Sequence, residues 1–176
     1  KFTGDGRLAI RGVSLEYAGR ELGVDVISIK RGILELTRCR VSGGVGEDGE
    51  KNTWGGGVWV YGTAKGVIRS CIITGNLKGI VFSDSAQGEV EGNICRNNGV
   101  HGIAASGQTH LVARNNTCEG NKQNGIGLFG EARGEVEGNT CRNNGIHGIA
   151  ANNQSRLVAR NNTCEGNKQN GIGLFG

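Results

Sequence analysis

Cys95, Cys118, Cys141 and Cys164 recur every 23 residues, and Asn93, Asn116, Asn139 and Asn162 keep step two residues ahead of them. Thiols in such an array are candidate disulfide partners or soft-metal ligands, and His101 and His147, 46 residues apart, raise the same question. Phase answers it. A residue type repeated at a fixed interval marks the same point on successive coils of a solenoid, where stacked strands lie about 4.8 Å apart. Neighbouring thiols approach one another there, but a continuous ladder cannot pair into disulfides without distortion. The cysteines therefore read as small buried hydrophobes, which favours a reducing, cytoplasmic compartment. The histidines sit two coils apart, about 9.6 Å by the same spacing. That is too far for one zinc with bonds of about 2 Å, unless Asn124 on the intervening coil takes part. They read as copies carried along with a duplicated turn, and neither a metal site nor a cofactor is expected.

Carboxylates are the other source of chemistry. Sugar hydrolysis uses two acids roughly 5 to 10 Å apart, and a hard cation needs several oxygen ligands. The chain has only Asp5, Asp25, Asp48 and Asp84. Most glutamates belong to an alternation instead: Glu91, Arg114, Glu137, Arg160 at one position of successive coils and Arg96, Glu119, Arg142, Glu165 at another. Opposite charges stacked in this way support one register of neighbouring strands and oppose a slip. They are assigned to stacking, and no catalytic residue is assigned.

The elements that carry these positions follow from one rule. Inward residues at intervals of three, two and three run from Ile10, Val13, Leu15 and Ala18 through seven registers to Ala159, Asn162, Cys164 and Asn167. Ten residues ahead of the register that starts at Ile68 lies a second short strand with Val58 and Val60 inward. Ile80 and Phe82, Ile103 and Ala105, Ile126 and Leu128, Ile149 and Ala151, and finally Ile172 and Leu174 repeat it. Alternation over three to five residues means short strands, and glycine, 34 of 176 residues, supplies the corners. Near the amino end Val26 or Ile27, with Ile29, fills this place, and the register stays open. The fold class is all-β: a parallel β-helix of about seven coils with three short strands per coil.

One coil is long. Residues 45–57 add about nine residues to the period, and insertions in solenoids map to one face, often the binding face. Beside that loop, which holds Trp54, Glu47, Asp48 and Glu50, Trp59 and Tyr61 flank the inward Val60 and point outward. Phe129 and Phe175 occur at the same strand position on later coils. Exposed rings stack against sugar faces or partner side chains; alternatively the inserted loop folds back over Trp59. Trp54, Trp59, Tyr61 and Phe129 are the candidate binding residues.

The whole chain reads as one domain, 1–176. The charges, net +4, are interspersed, with no basic block and no long apolar run, so neither nucleic acid nor a membrane is the expected partner. The start at Lys1 and the lack of a polar cap on the last coil suggest a fragment of a longer array or end-to-end self-association.

Gly57-Val58-Trp59-Val60-Tyr61, the segment from Gly66 to Asn76, and the repeated Glu-Gly-Asn-x-Cys-x-x-Asn and Gly-Ile-x-Leu-Phe resemble the parallel β-helix repeats of the pectate-lyase-like superfamily. They are most similar to the carbohydrate-binding and sugar-hydrolase repeats of β-helix F-box proteins and many bacterial proteins. The resemblance covers residues 8–176. It implies a right-handed helix and recognition of a polysaccharide or a protein along a lateral face; the scaffold also carries lyases, hydrolases and epimerases. No Asn-Thr-Asp, Asp-Asp or Gly-His-Gly motif like that of polygalacturonases occurs, and Val100-His101-Gly102 and Ile146-His147-Gly148 depart from the last by a bulky residue. The expected function is non-catalytic recognition. The alternatives are a carbohydrate-active enzyme using the acids of the 45–57 loop, and a structural spacer.

Overall fold

The computed structural model of the chain describes residues 5–19, 21, 23–45 and 55–176. Trp54, Glu47, Asp48 and Glu50 lie outside the described residues. Three parallel sheets of seven strands each run along the solenoid axis, and every coil contributes one strand to each. The first sheet runs from Arg7–Arg11 to Arg156–Arg160 and the second from Ser14–Glu16 to Thr163–Glu165. The third comprises Ile27–Ile29, Gly56–Val60, Lys78–Phe82, Ile103–Ala105, Ile126–Leu128, Ile149–Asn152 and Ile172–Phe175.

The inward columns are those the spacing predicts. Ile10, Leu36, Ile68, Val90, Ala113, Val136 and Ala159 stand in register on the first sheet. Leu15, Val41, Ile73 and the four cysteines from Cys95 to Cys164 do so on the second. On the third, Ile27 pairs with Val58 and Ile29 with Val60, which settles the open register in favour of Ile27.

Core volume is shared reciprocally between sheets. Phe82, fully buried, reaches across to the first sheet, where a Cβ on Gly66 or Gly88 would lie 2.9 or 2.8 Å from its ring. Leu128 similarly faces Gly134, whose Cβ would lie 2.5 Å from it. On the coils between, the small Ala105 and Ala151 belong with Leu111 and Leu157. Large opposite small, alternating in side, fills the interior at constant cross-section, as close packing requires.

The inward asparagines are paired, whereas Thr109 Oγ1, Asn152 Oδ1 and Ser155 Oγ are buried without a hydrogen-bond partner. The side-chain oxygen of Asn116 accepts from the backbone N–H and the Nδ2 of Asn93, both at 3.0 Å, and Asn139 and Asn162 repeat the pattern one coil on. A second ladder, from Asn76 through Asn98, Asn121 and Asn144 to Asn167, does the same at the next corner. Cys39 and Cys71 fill the two rungs before Asn93 in its column: the Cys71 N–H donates to Asn93 Oδ1 at 2.8 Å and the Cys39 N–H to Cys71 Sγ at 3.4 Å. All six cysteines are free thiols, and only Cys164 is not fully buried.

Each coil turns between the first and second sheets through a left-handed residue: Arg38, Ser70, Asn115 and Asn161, or Gly12, Gly92 and Gly138. Gly138 suits its turn, because its φ is 65° and a Cβ there would lie 2.5 Å from Asn115 Oδ1, which would have to shift. Arginines on the first sheet's outer face reach forward to the acids of the next coil, Arg69 to Glu89 at 3.1 Å and Arg114 to Glu135 at 3.4 Å. On the second sheet Arg142 reaches back to Glu119 at 3.0 Å. These pairs are half-exposed, so each contributes only tenths of a kcal/mol up to about 1. Their part is to oppose a slip of register.

Candidate lateral recognition face

The outer face of the third sheet differs from the other two. Its outward positions hold Trp59, Val81, Ala104, Gly127, Ala150 and Gly173 in one column. The next column holds Tyr61, Ser83, Ser106, Phe129, Asn152 and Phe175, each hydrogen-bonded to the preceding coil at the same place. Neither column contains a charged side chain between Trp59 and Phe175.

Two of the rings lie down on the sheet. A Cβ on Gly127 would lie 2.7 Å from the edge of the Phe129 ring, and one on Gly173 would lie 2.5 Å from that of Phe175. Phe129 therefore folds back over a glycine in its own strand, and only glycine leaves room for it. Its ring also packs on His101 of the previous coil, centroids 5.1 Å apart and planes tilted by 34°. Phe175 packs on His147 at 4.9 Å and 32°.

The histidines are held by a ladder of their own. His101 Nδ1 accepts from the Asn124 N–H at 3.3 Å, Asn124 Oδ1 from the His147 N–H at 3.2 Å, and His147 Nδ1 from the Asn170 N–H at 3.2 Å. An acceptor Nδ1 places the ring proton on Nε2. Burial, with nearby Lys78 adding to it, lowers the His101 pKa to about 4, so the ring is neutral at pH 7. Asn124 is the intervening rung of this hydrogen-bond ladder. Among the described residues no group of three or more His, Cys, Asp or Glu is placed to hold a metal ion.

Trp59 and Tyr61 pack edge to face, centroids 5.9 Å apart and planes at 64°, and the Trp59 Nε1–H donates to Ser83 Oγ on the next coil at 2.9 Å. Both rings are half-buried. The acids beside this face are engaged with the backbone. Asp25 Oδ1 accepts from the N–H groups of Gly56 at 2.6 Å and Gly55 at 3.3 Å, tying the base of the long coil, and Asp84 accepts from the Gly62 N–H at 2.9 Å. Burial raises the Asp25 pKa against the opposing pull of those hydrogen bonds and of Lys78, while burial lowers that of Lys78.

Of the residues singled out in the sequence, Trp59, Tyr61 and Phe129 thus share one face, Tyr61 and Phe129 in the same column three strands apart; Trp54 lies outside the described residues. The histidines beneath the phenylalanines escaped the spacing argument. The signal that could have found them is the glycine two residues before each phenylalanine in Gly-Ile-Gly-Leu-Phe, which leaves room for a ring folded onto the preceding coil.

No curated protein and no solved structure matches the chain. Residues 22–176 match the family described as a right handed beta helix region, with three strands per coil and 23-residue periodicity as its physical counterpart here, and the chain belongs to that family.

Proposed function

We propose that the protein is a non-catalytic recognition module that binds a polysaccharide along the outer face of its third sheet. The observation that carries this reading is the gathering of Trp59, Tyr61 and Phe129 in two outward columns that hold no charged side chain, while the ion pairs of Arg69, Arg114 and Arg142 lie on the first and second sheets. Half-buried rings held by packing and by the Trp59–Ser83 hydrogen bond are already ordered, so stacking a sugar on them immobilises little further. The non-catalytic part rests on Asp25 and Asp84, each of which has one carboxylate oxygen accepting from backbone N–H groups.

A glycan array probed with the protein tests the reading. Binding is expected to be lost in the Trp59→Ala, Tyr61→Ala double variant with its β-sheet circular dichroism intact. Turnover in a reducing-sugar or lyase assay that disappears in Glu47→Gln or Asp48→Asn would overturn it in favour of an enzyme.

A further inference from the structure

Resting on that recognition reading, we infer that the ligand is an uncharged, linear glycan of all-equatorial pyranose rings, laid along the solenoid axis with one sugar per coil. Three observations converge on this class. First, Tyr61, Phe129 and Phe175 share one column that runs along the axis, so a ligand touching more than one of these three must lie parallel to it. Each coil advances about 4.8 Å, close to the advance of one pyranose unit in an extended chain. A ribbon of sugars therefore stays in step with the coils, whereas a glycan that winds into a wide helix leaves the face after a few units.

Second, the platforms are separated by both an odd and an even number of coils. Tyr61 lies three coils from Phe129, and Phe129 two coils from Phe175. In an extended β-1,4-linked chain, successive rings are turned over. Rings one and four then present opposite faces to the sheet, and rings four and six the same face. All three platforms are satisfied only by a sugar with both faces apolar. Rings whose hydroxyls are all equatorial meet that condition, because each face then carries only axial C–H groups; an axial hydroxyl spoils one face.

Third, charge is matched by its absence. The two outward columns hold no acid or base from Trp59 to Phe175, and Lys78, level with His101 in the adjoining column, has Asp25 beside it, so a polyanion would find little counter-charge along the face, and a neutral polyhydroxyl chain needs none. Ser106, half-buried between the rings in the Tyr61 column, offers a short polar side chain to a sugar hydroxyl.

The test is titration calorimetry with cello-oligosaccharides of two to six units, and with maltohexaose as the curved, α-linked control. Affinity is expected to climb with length through the hexaose, and maltohexaose to bind at least tenfold more weakly. Phe129→Ala is expected to reduce the hexaose to the affinity of the trisaccharide, and Phe129→Tyr to restore it; thermal melts of both variants report whether the coil stays folded. Equal binding of maltohexaose, or a hexaose affinity unchanged in Phe129→Ala, overturns the inference. If another glycan still binds in a manner that needs Trp59 and Tyr61, the recognition reading survives that result; if no glycan on an array binds, both fall together.

Discussion

Asn139 Oδ1 accepts two hydrogen bonds from Asn116, one from its backbone N–H and one from its Nδ2, both at 2.9 Å. Asn116 Nδ2 also donates to the Val90 carbonyl two coils away from Asn139, at 2.9 Å. One buried amide thus binds three coils together. Asn116→Leu, alike in branching but bulkier, would leave the Asn93 N–H without its acceptor and remove one partner each from Asn93 Nδ2 and the Val90 carbonyl, and should cost roughly 2 to 4 kcal/mol in urea unfolding. Asn116→Cys should cost less, since Cys71 already occupies this column and accepts the Cys39 N–H. Equal losses for the two variants would show that volume, not hydrogen bonding, governs the column.

The thiols make alkaline stability predictable in sign. Burial pushes Cys71 up to about 11 from the ordinary 9.0, and Cys141 is raised too, chiefly by its hydrogen bond with the Cys118 thiol and then by burial. The unfolded chain releases these protons first, so the native state is favoured below pH 9 and loses that advantage as pH rises toward 11. The urea midpoint should fall across this window, with a shallower fall in Cys71→Val. In the native protein at pH 8, Cys118 and Cys141 should resist a thiol reagent that labels all six cysteines in denaturant.

His101 gives the opposite limb. Its folded pKa of about 4 lies below the ordinary 6.5, so the unfolded state takes up the proton first and stability declines as pH falls from about 6.5 toward 4. His101→Asn keeps an acceptor for the Asn124 N–H, as Asn124 itself does for His147. That variant should retain stability at pH 7 and flatten the acid limb. A proton-resonance titration placing His101 near 6.5 in the native state would refute the cause assigned here.

Gly127→Ala tests the ring placement. The new methyl would sit 2.7 Å from Phe129, whose ring is half-exposed and free to swing outward, so stability should change by no more than about 1 kcal/mol. The ring should nevertheless leave His101, and the ring-current shifts of the His101 protons would report it. Unchanged shifts would mean that Phe129 does not lie over the glycine in solution.

Arg114→Ala removes ion pairs to Glu135 at 3.4 Å and Glu137 at 3.8 Å, yet should destabilise by less than about 1 kcal/mol, because all three side chains are about half exposed. A loss several-fold larger in thermal or urea melts would show that the charged rows contribute to stability beyond register.

Both asparagine ladders, the cysteine column and the charge alternation were legible in the sequence because each is a repeat at one spacing: identical residues on identical coils can only stack. The first Glu column of the first sheet, Glu35, Glu89 and Glu135, was not, since Val67 and Val112 interrupt it and the period becomes two coils. Lys65 and Glu89, 2.6 Å apart, pair from different positions on neighbouring strands, which no column reading anticipates.

What the sequence determined by itself is the scaffold: period, inward residues, corners and the outward direction of Trp59, Tyr61 and Phe129, all of which follow from repetition and period-two alternation along single strands. What only the tertiary structure decided is how side chains on different coils meet: the choice of Ile27 over Val26, the forward reach of Arg69 and Arg114 but the backward reach of Arg142, and the seating of Phe129 on His101 over Gly127. Direction along a column is set by rotamers and by the space a neighbouring glycine leaves, and neither is encoded in the spacing of the residues themselves.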